Sequence, residues 1–330
     1  MPIRLLIIRF SALGDNALLV PVVREWAMAH PAVEVTVLSR IQYSALWSDI
    51  APNIHFAGAS FQERHNGRQG LDRLMEDISW RQFDAVADMH DVWRSRYITL
   101  RMRLAGKRVA CVKKDRLGRF LLTHGLSRRP LKPMWQRYSD VLAAVSGQAT
   151  TSNEPHIIDN QRLERSGIGI APFAAHRGKQ YPTDKMEEVV KQLSAAGYSI
   201  TLFGGRGEER DILHRWATLY PNTISAADSS LSLKDETAMM GHLRLMVSMD
   251  SANMHLASLC GTRVISIWGA THPAIGFLGI GQQQSDCIQK DLSCRPCSAY
   301  GKKKCRYGDY HCLTIEPEEI VKKVKETYEQ

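Results

Sequence analysis

The chain has 330 residues, 44% of them hydrophobic and 23% charged, a balance that excludes gross disorder and suffices for two ordinary cores. Its longest apolar runs are strand-length, which excludes a helical membrane span, and its formal net charge of +9 calls for an anionic partner: nucleic acid, a phosphorylated small molecule or an anionic lipid surface. The opening MPIRLLIIRF lacks a small-residue cleavage pattern and its apolar run ends in a charge, so it reads as the first strand of a cytoplasmic protein rather than a leader.

Ile3 to Ile8 is a continuous apolar run, which predicts a strand buried on both faces of a parallel sheet. FSALGDNALLV follows. Either Gly14 bends a tight turn while Asp15 or Asn16 caps the next helix, or Asp15 projects from a strand end into a ligand cleft. The helix predicted over 16–29 places Leu18, Leu19, Val22, Val23 and Trp26 on one face and ends before Pro31. Further runs at Val33–Leu38, Ala85–Met89 and Val109–Val112 complete a first sheet. Between Arg94 and Arg119 lie Arg96, Arg101, Arg103, Lys107, Arg108, Lys113, Lys114 and Arg116, opposed by Asp115 alone, a one-sidedness that favours anion attraction over ion pairing. Few aromatics are interleaved and no nucleic-acid motif accompanies the run, so no nucleic-acid partner is expected.

GQATTSNEPHIIDNQRLERSG, from Gly147 to Gly167, is polar and without a period, and places a linker at roughly 147–165. Beyond it, runs at Ile168–Ala171, Ile200–Phe203, Leu245–Met249 and Val264–Trp268 predict a second parallel sheet. The fold class is therefore α/β, two doubly wound domains, with boundaries at 1–155 and 156–315. Four loops at strand ends of the second domain carry chemical content. APFAAHRGKQYP brings His176, Arg177 and Lys179 together just after a strand, a set suited to phosphate. A helix from Pro182 and Asp184, with Met186, Val189, Val190 and Leu193 inward, closes at Gly197. FGGRGEER offers paired glycines and the carboxylates Glu208 and Glu209, without the GxGxxG spacing. In MDSANMHLASLCGTRVISIWGATHP a strand ends at Asp250, Ser251 is placed to cap a small-residue helix, and His255 lies one turn on; the next strand ends in the loop Gly269 to Pro273, with Thr271 in it.

CRPCSAYGKKKCRYGDYHC holds Cys294, Cys297, Cys305 and Cys312, a spacing that suits a small structural zinc site in which His311 could replace one sulfur; free or redox-active thiols are the alternative. Cys111, Cys260 and Cys287 read as core or incidental residues. The tail IEPEEIVKKVKETYEQ, with Pro317 in the first turn, early glutamates and later lysines, predicts a closing helix over 316–330.

Taken in order, SALGDNALLVPVVREW, HRGKQYP, MDSANMHLAS and WGATHP resemble glycosyltransferase family 9, the group that includes bacterial ADP-heptose:lipopolysaccharide heptosyltransferases, over nearly the whole chain. The resemblance implies a GT-B architecture of two Rossmann-like domains facing across a cleft, acceptor on the first and nucleotide sugar on the second, with the last helix crossing back to the first. It implies inverting, metal-independent transfer of a sugar, heptose by resemblance, from an ADP-heptose-like donor to a lipopolysaccharide core-type acceptor, with no catalytic cofactor. By the same match Asp15 is the general base, Lys179 the phosphate-binding lysine with Arg177 beside it, and Asp250, Ser251 and His255 the donor-holding element, with Ala252 where the family usually has glycine. Glu208 matches the acidic residue near the nucleotide ribose, and Thr271 falls in the matching WGATHP loop. Arg94 and Arg96 would meet an anionic glycolipid acceptor, with peripheral contact at the cytoplasmic membrane face. Two other readings are a nucleotide-sugar epimerase or dehydrogenase on similar domains, and a noncatalytic basic binding protein.

Overall fold

The computed structural model describes residues 4–147, 153–156, 164–227 and 230–330. In chain order the elements are β1 (Arg4–Ile8), α1 (Leu13–Ala29), β2 (Glu34–Arg40), β3 (Ile54–Ala59), α2 (Gly67–Asp77), β4 (Ala85–Asp88), α3 (Trp93–Leu104), β5 (Arg108–Cys111), α4 (Arg116–Thr123) and α5 (Met134–Ser146). They continue as β6 (Ile168–Ala171), α6 (Thr183–Ala195), β7 (Ile200–Leu202), α7 (Glu208–Leu219), β8 (Thr223–Ser225), α8 (Leu233–Gly241), β9 (Leu245–Met249), α9 (Ala252–Leu259), β10 (Arg263–Ile267), β11 (Cys287–Ile288) and α10 (Pro317–Tyr328). None of the helices among the described residues is long and apolar enough to cross a membrane.

The chain forms two compact units, Met1–Lys114 with Met134–His156, and Asp115–Pro133 with Ile157–Gln330. Each is a wholly parallel sheet, ordered β3-β2-β1-β4-β5 in the first and β11-β10-β9-β6-β7-β8 in the second. In both, the first strand in sequence lies inside the sheet and the winding reverses beside it, at β1/β4 and at β6/β9. Such a reversal leaves a crevice at the carboxyl ends, where neighbouring connections leave to opposite faces. Leu6 and Ile8 bury one face of the first sheet against Leu71, Leu74, Ile98 and Met102 of α2 and α3, while Leu5 and Ile7, equally buried, alternate to the other face. In the second unit Ile170, Leu202, Val247 and Ile265 pack on Val189, Val190 and Leu193 of α6, Trp216 of α7 and Ile320 and Val324 of α10.

Three expectations change. Residues 115–133 belong to the second unit: the Leu131 N–H bonds the Ala274 carbonyl at 2.8 Å, and Arg119 donates to the Tyr300 hydroxyl and lies 5.5 Å over its ring. The basic run therefore divides, Arg94 to Lys114 in one unit and Arg116 and Arg119 in the other. The terminal helix, expected to cross back, buries Ile320, Val321 and Val324 in the core of its own unit, and the Tyr328 hydroxyl accepts from the Gly167 N–H at 3.0 Å. Ile3 and most of the expected linker at 147–165 lie outside the described residues.

Candidate functional site

In the first unit Ile8 of β1 pairs with Asp88 of β4, so the residues that follow each strand meet at the reversal point. Helix α1 starts earlier than the sequence suggested: Ala12 is the residue before its first turn and Asp15 sits inside that turn. Gly14 is therefore helical and supplies no bend. Asp15 does reach back, its Oδ2 accepting from the Ala12 N–H at 3.3 Å. Asn16 is a buried anchor instead of a cap, its Nδ2 on the Ala12 carbonyl at 2.9 Å and its Oδ1 accepting from the Ser39 hydroxyl at 2.9 Å.

Arg9, the charge that ends the first apolar run, is buried, and its Nη2 lies 2.7 Å from Asp15 Oδ2. The guanidinium also donates to the Met89 carbonyl and stacks 5.5 Å from the Tyr138 ring centre. A cation held this way fixes the orientation of the carboxylate, with 23% of the Asp15 side chain still open to solvent. The structure thus gives Asp15 an orienting partner. It also adds His90, just beyond β4, whose Nδ1 accepts from the Phe10 N–H at 3.3 Å while Nε2 faces the Ser11 hydroxyl at 3.4 Å.

Burial, with the Arg9 and Lys114 charges adding to it against Asp15, holds the His90 imidazole down at about 3. In the unfolded chain the ring titrates near its ordinary 6.5. Between those values the unfolded chain binds a proton that the folded chain refuses, so stability is lost as pH falls through that window. His90→Gln, which keeps an acceptor for the Phe10 N–H, should flatten the unfolding temperature between neutral pH and about 4 relative to the parent. Equal slopes would show that His90 does not govern this dependence.

Of the two expected acceptor residues, Arg96 is held by a two-point pair with Asp91, at 2.6 and 3.0 Å. Arg94 lies 4.9 Å over the Phe61 ring and 5.1 Å over Trp93. Arg96 thus already has a carboxylate partner, while Arg94 presents its charge beside exposed aromatic surface.

In the second unit the reversal at β6/β9 brings the tightest cluster. Ala171 at the end of β6 pairs with Ser248 of β9, and across that seam Lys179 Nζ meets Asp250 Oδ2 at 2.8 Å. The same oxygen accepts from the Thr271 hydroxyl at 2.7 Å, with both residues buried. Asp250 therefore fixes Lys179 and ties the loops after β6, β9 and β10 together. Ser251 stands at the helix start as expected but makes no side-chain cap; its hydroxyl lies 3.3 Å from that of Ser248. Ala252 is the first residue of α9, and His255, one turn on, is buried. Glu208 opens α7 and is exposed, whereas Glu209 folds back to accept from the Gly205 N–H at 2.7 Å. Arg177 is exposed and stacks 5.1 Å from the Tyr310 ring centre.

The cysteine-rich loop has a structural task that its spacing did not announce. Among the described residues no three His, Cys, Asp or Glu side chains converge as a metal would require, while Cys294, Cys297 and Cys305 lie close enough to Cys312 to bear on its thiol. All four sulfurs are free, and burial pushes the Cys312 thiol up to about 11. Arg295 organises the loop instead: Nε donates to the Gly269 carbonyl at 2.5 Å, and Nη2 to the carbonyls of Trp268 and Thr271 at 3.1 and 2.9 Å. Gly178 is held close beneath it, its carbonyl accepting from the Ala270 N–H at 2.7 Å; a side chain there would come within 2.8 Å of the Gly301 oxygen. Arg9, His90 and Arg295 are the residues sequence reasoning missed. Their common signal was a charged or titratable residue at a strand end or between glycines and cysteines.

The chain is 24% identical over 327 residues to lipopolysaccharide heptosyltransferase 1 of Pseudomonas aeruginosa, covering 92% of this chain and 88% of that one. To the lipopolysaccharide core heptosyltransferase OpsX of Haemophilus influenzae it is 23% identical over 283 residues, covering 82% and 80%. Its fold is that of the E. coli heptosyltransferase WaaC, solved with ADP, at a TM-score of 0.72 and 14% identity over 98% of this chain and 100% of that one. The pattern of glycosyltransferase family 9 (heptosyltransferase) matches residues 71–311, and with two parallel-sheet units whose chemistry gathers at their reversal points, the chain is a glycosyltransferase belonging to that family.

Proposed function

We propose that this protein transfers a heptose from an ADP-heptose-type donor to a lipopolysaccharide core-type acceptor, with inversion and without a catalytic metal. The names of its heptosyltransferase relatives and the ADP of the WaaC complex support the substrates. The observation that carries the mechanism is the Lys179–Asp250–Thr271 cluster at the β6/β9 reversal. In the step, an acceptor hydroxyl forms its bond to the anomeric carbon as the bond from that carbon to the diphosphate oxygen breaks. The hydroxyl proton passes to a carboxylate oxygen of Asp15, and the electron pair leaves with the diphosphate. Negative charge growing there is met by Lys179, held beside the start of α9 by Asp250, where backbone N–H groups point outward, and by the exposed Arg177. One displacement by one incoming oxygen inverts the anomeric centre, and the fixed cations do what Mg²⁺ does in other nucleotide-sugar enzymes.

The domain roles follow from this: the first unit acts on the acceptor, and the second holds the nucleotide sugar near Glu208, Asp250, Ser251, Ala252, His255 and Thr271. A panel of nucleotides and nucleotide sugars, read by thermal stabilisation and then by transfer with excess chelator, is the test. ADP and ADP-heptose should raise the unfolding temperature where UDP does not, and transfer should continue in chelator. Stabilisation by UDP alone would overturn the donor, and transfer abolished by chelator would overturn metal independence.

A further inference from the structure

Residues 115–133 read DRLGRFLLTHGLSRRPLKP, and the transfer step uses none of them. Helix α4 buries Leu122 but turns Leu117 and Phe120 outward, 70% and 52% exposed, and Leu126 in the turn that follows is 67% exposed. Arg116, Arg128, Arg129 and Lys132 flank them along the chain, all exposed, and the segment's one carboxylate, Asp115, accepts from the Gly118 N–H at the helix start. Single exposed apolar residues are ordinary on a protein surface, but a short helix and turn with three of them flanked by cations has the composition of an element lying in a lipid interface. The end of α4 also walls a cavity of about 200 Å³ whose lining includes His124, Lys303, Lys304 and Arg306 and no carboxylate. A cationic enclosure of that size fits a phosphate group.

We propose that α4 and its following turn dock on an anionic phospholipid membrane. Leu117, Phe120 and Leu126 enter the headgroup boundary, the flanking cations meet lipid phosphates, and the cavity takes one headgroup phosphate. This deepens the reading of a glycolipid acceptor, because the docked enzyme meets its acceptor in that surface, and it moves the membrane contact expected for Arg94 to Arg119 onto the second unit.

The test is co-sedimentation of the whole chain with vesicles of phosphatidylcholine alone, and with vesicles about one-third phosphatidylglycerol. Anionic vesicles should carry the protein down and neutral ones should not. Leu117→Glu together with Phe120→Glu should weaken binding by about a hundredfold, roughly tenfold for each apolar side chain withdrawn, and Lys303→Gln with Lys304→Gln severalfold. Because Leu117 and Phe120 are exposed, the unfolding temperature of that variant should match the parent. Binding that ignores vesicle charge, or that survives the double glutamate change, overturns the proposal, as does no binding at all. The readout is pelleting, so its failure leaves heptosyl transfer standing, and failure of transfer leaves vesicle binding measurable.

Discussion

Asp15→Asn is expected to lower turnover by about 10² to 10⁴, the usual contribution of a positioned general base, while ADP affinity changes by less than about twofold. The amide keeps the size of the carboxylate and an oxygen for the Ala12 N–H, so the first turn of α1 persists. What disappears is the group that takes the acceptor proton. The nucleotide residues lie in the other unit and are untouched by the change. Arg9, buried and 2.7 Å from the altered oxygen, loses the charge at that contact, so some stability goes too, about 1–3 kcal/mol. Turnover per folded molecule separates the two effects. A lowered unfolding temperature with unchanged turnover would leave Asp15 a structural partner of Arg9 and remove it as the base.

The second large effect belongs to Asp250. Asp250→Asn should cost about 3 kcal/mol of stability, because it leaves the largely buried Lys179 ammonium without its anion. Lys179→Met should instead weaken ADP binding by about tenfold to a hundredfold, the usual effect of removing one charge-assisted hydrogen bond to a phosphate. The cycle decides between the roles: with both changes made, stability should recover much of the loss seen for Asp250→Asn, whereas ADP affinity should stay low. If ADP affinity returns in the double variant, Lys179 serves only to neutralise Asp250 and is not a phosphate ligand.

How far the fold could be read from residues alone depended on strand position. The central strands β1, β4, β6, β9 and β10 are apolar runs buried on both faces, and each is visible as such. Of the edge strands β5 shows as a run, but two others do not: β3, IHFAGA, is small and half-open, and β8, TIS, carries an exposed Ile224. Their pairing comes from the neighbouring strand, not from their own pattern. Asp15 and Lys179 were legible because a carboxylate and a cation stand just past apolar runs. Arg9, His90 and Arg295 were not, nor was the pairing of Asp250 with Lys179, since these contacts join segments that only the sheet brings together. In the cysteine-rich loop the spacing drew attention to the sulfurs, whereas the hold of Arg295 on backbone carbonyls left no mark in it.

The excursion of residues 115–133 has a consequence for synthesis. A nascent chain leaving the ribosome presents β1 to β5 first, then a segment whose partners, Ala274 and Tyr300 among them, are still untranslated, and only then α5, which completes the first unit. Vectorial folding can therefore finish the early half before the late one, but α4 must wait with Leu122, its one buried side chain, uncovered until translation is nearly over. A fragment cut at residue 156 to obtain the first unit alone would carry that orphan permanently, and an engineered first half should bridge Lys114 to Met134 with a short polar turn.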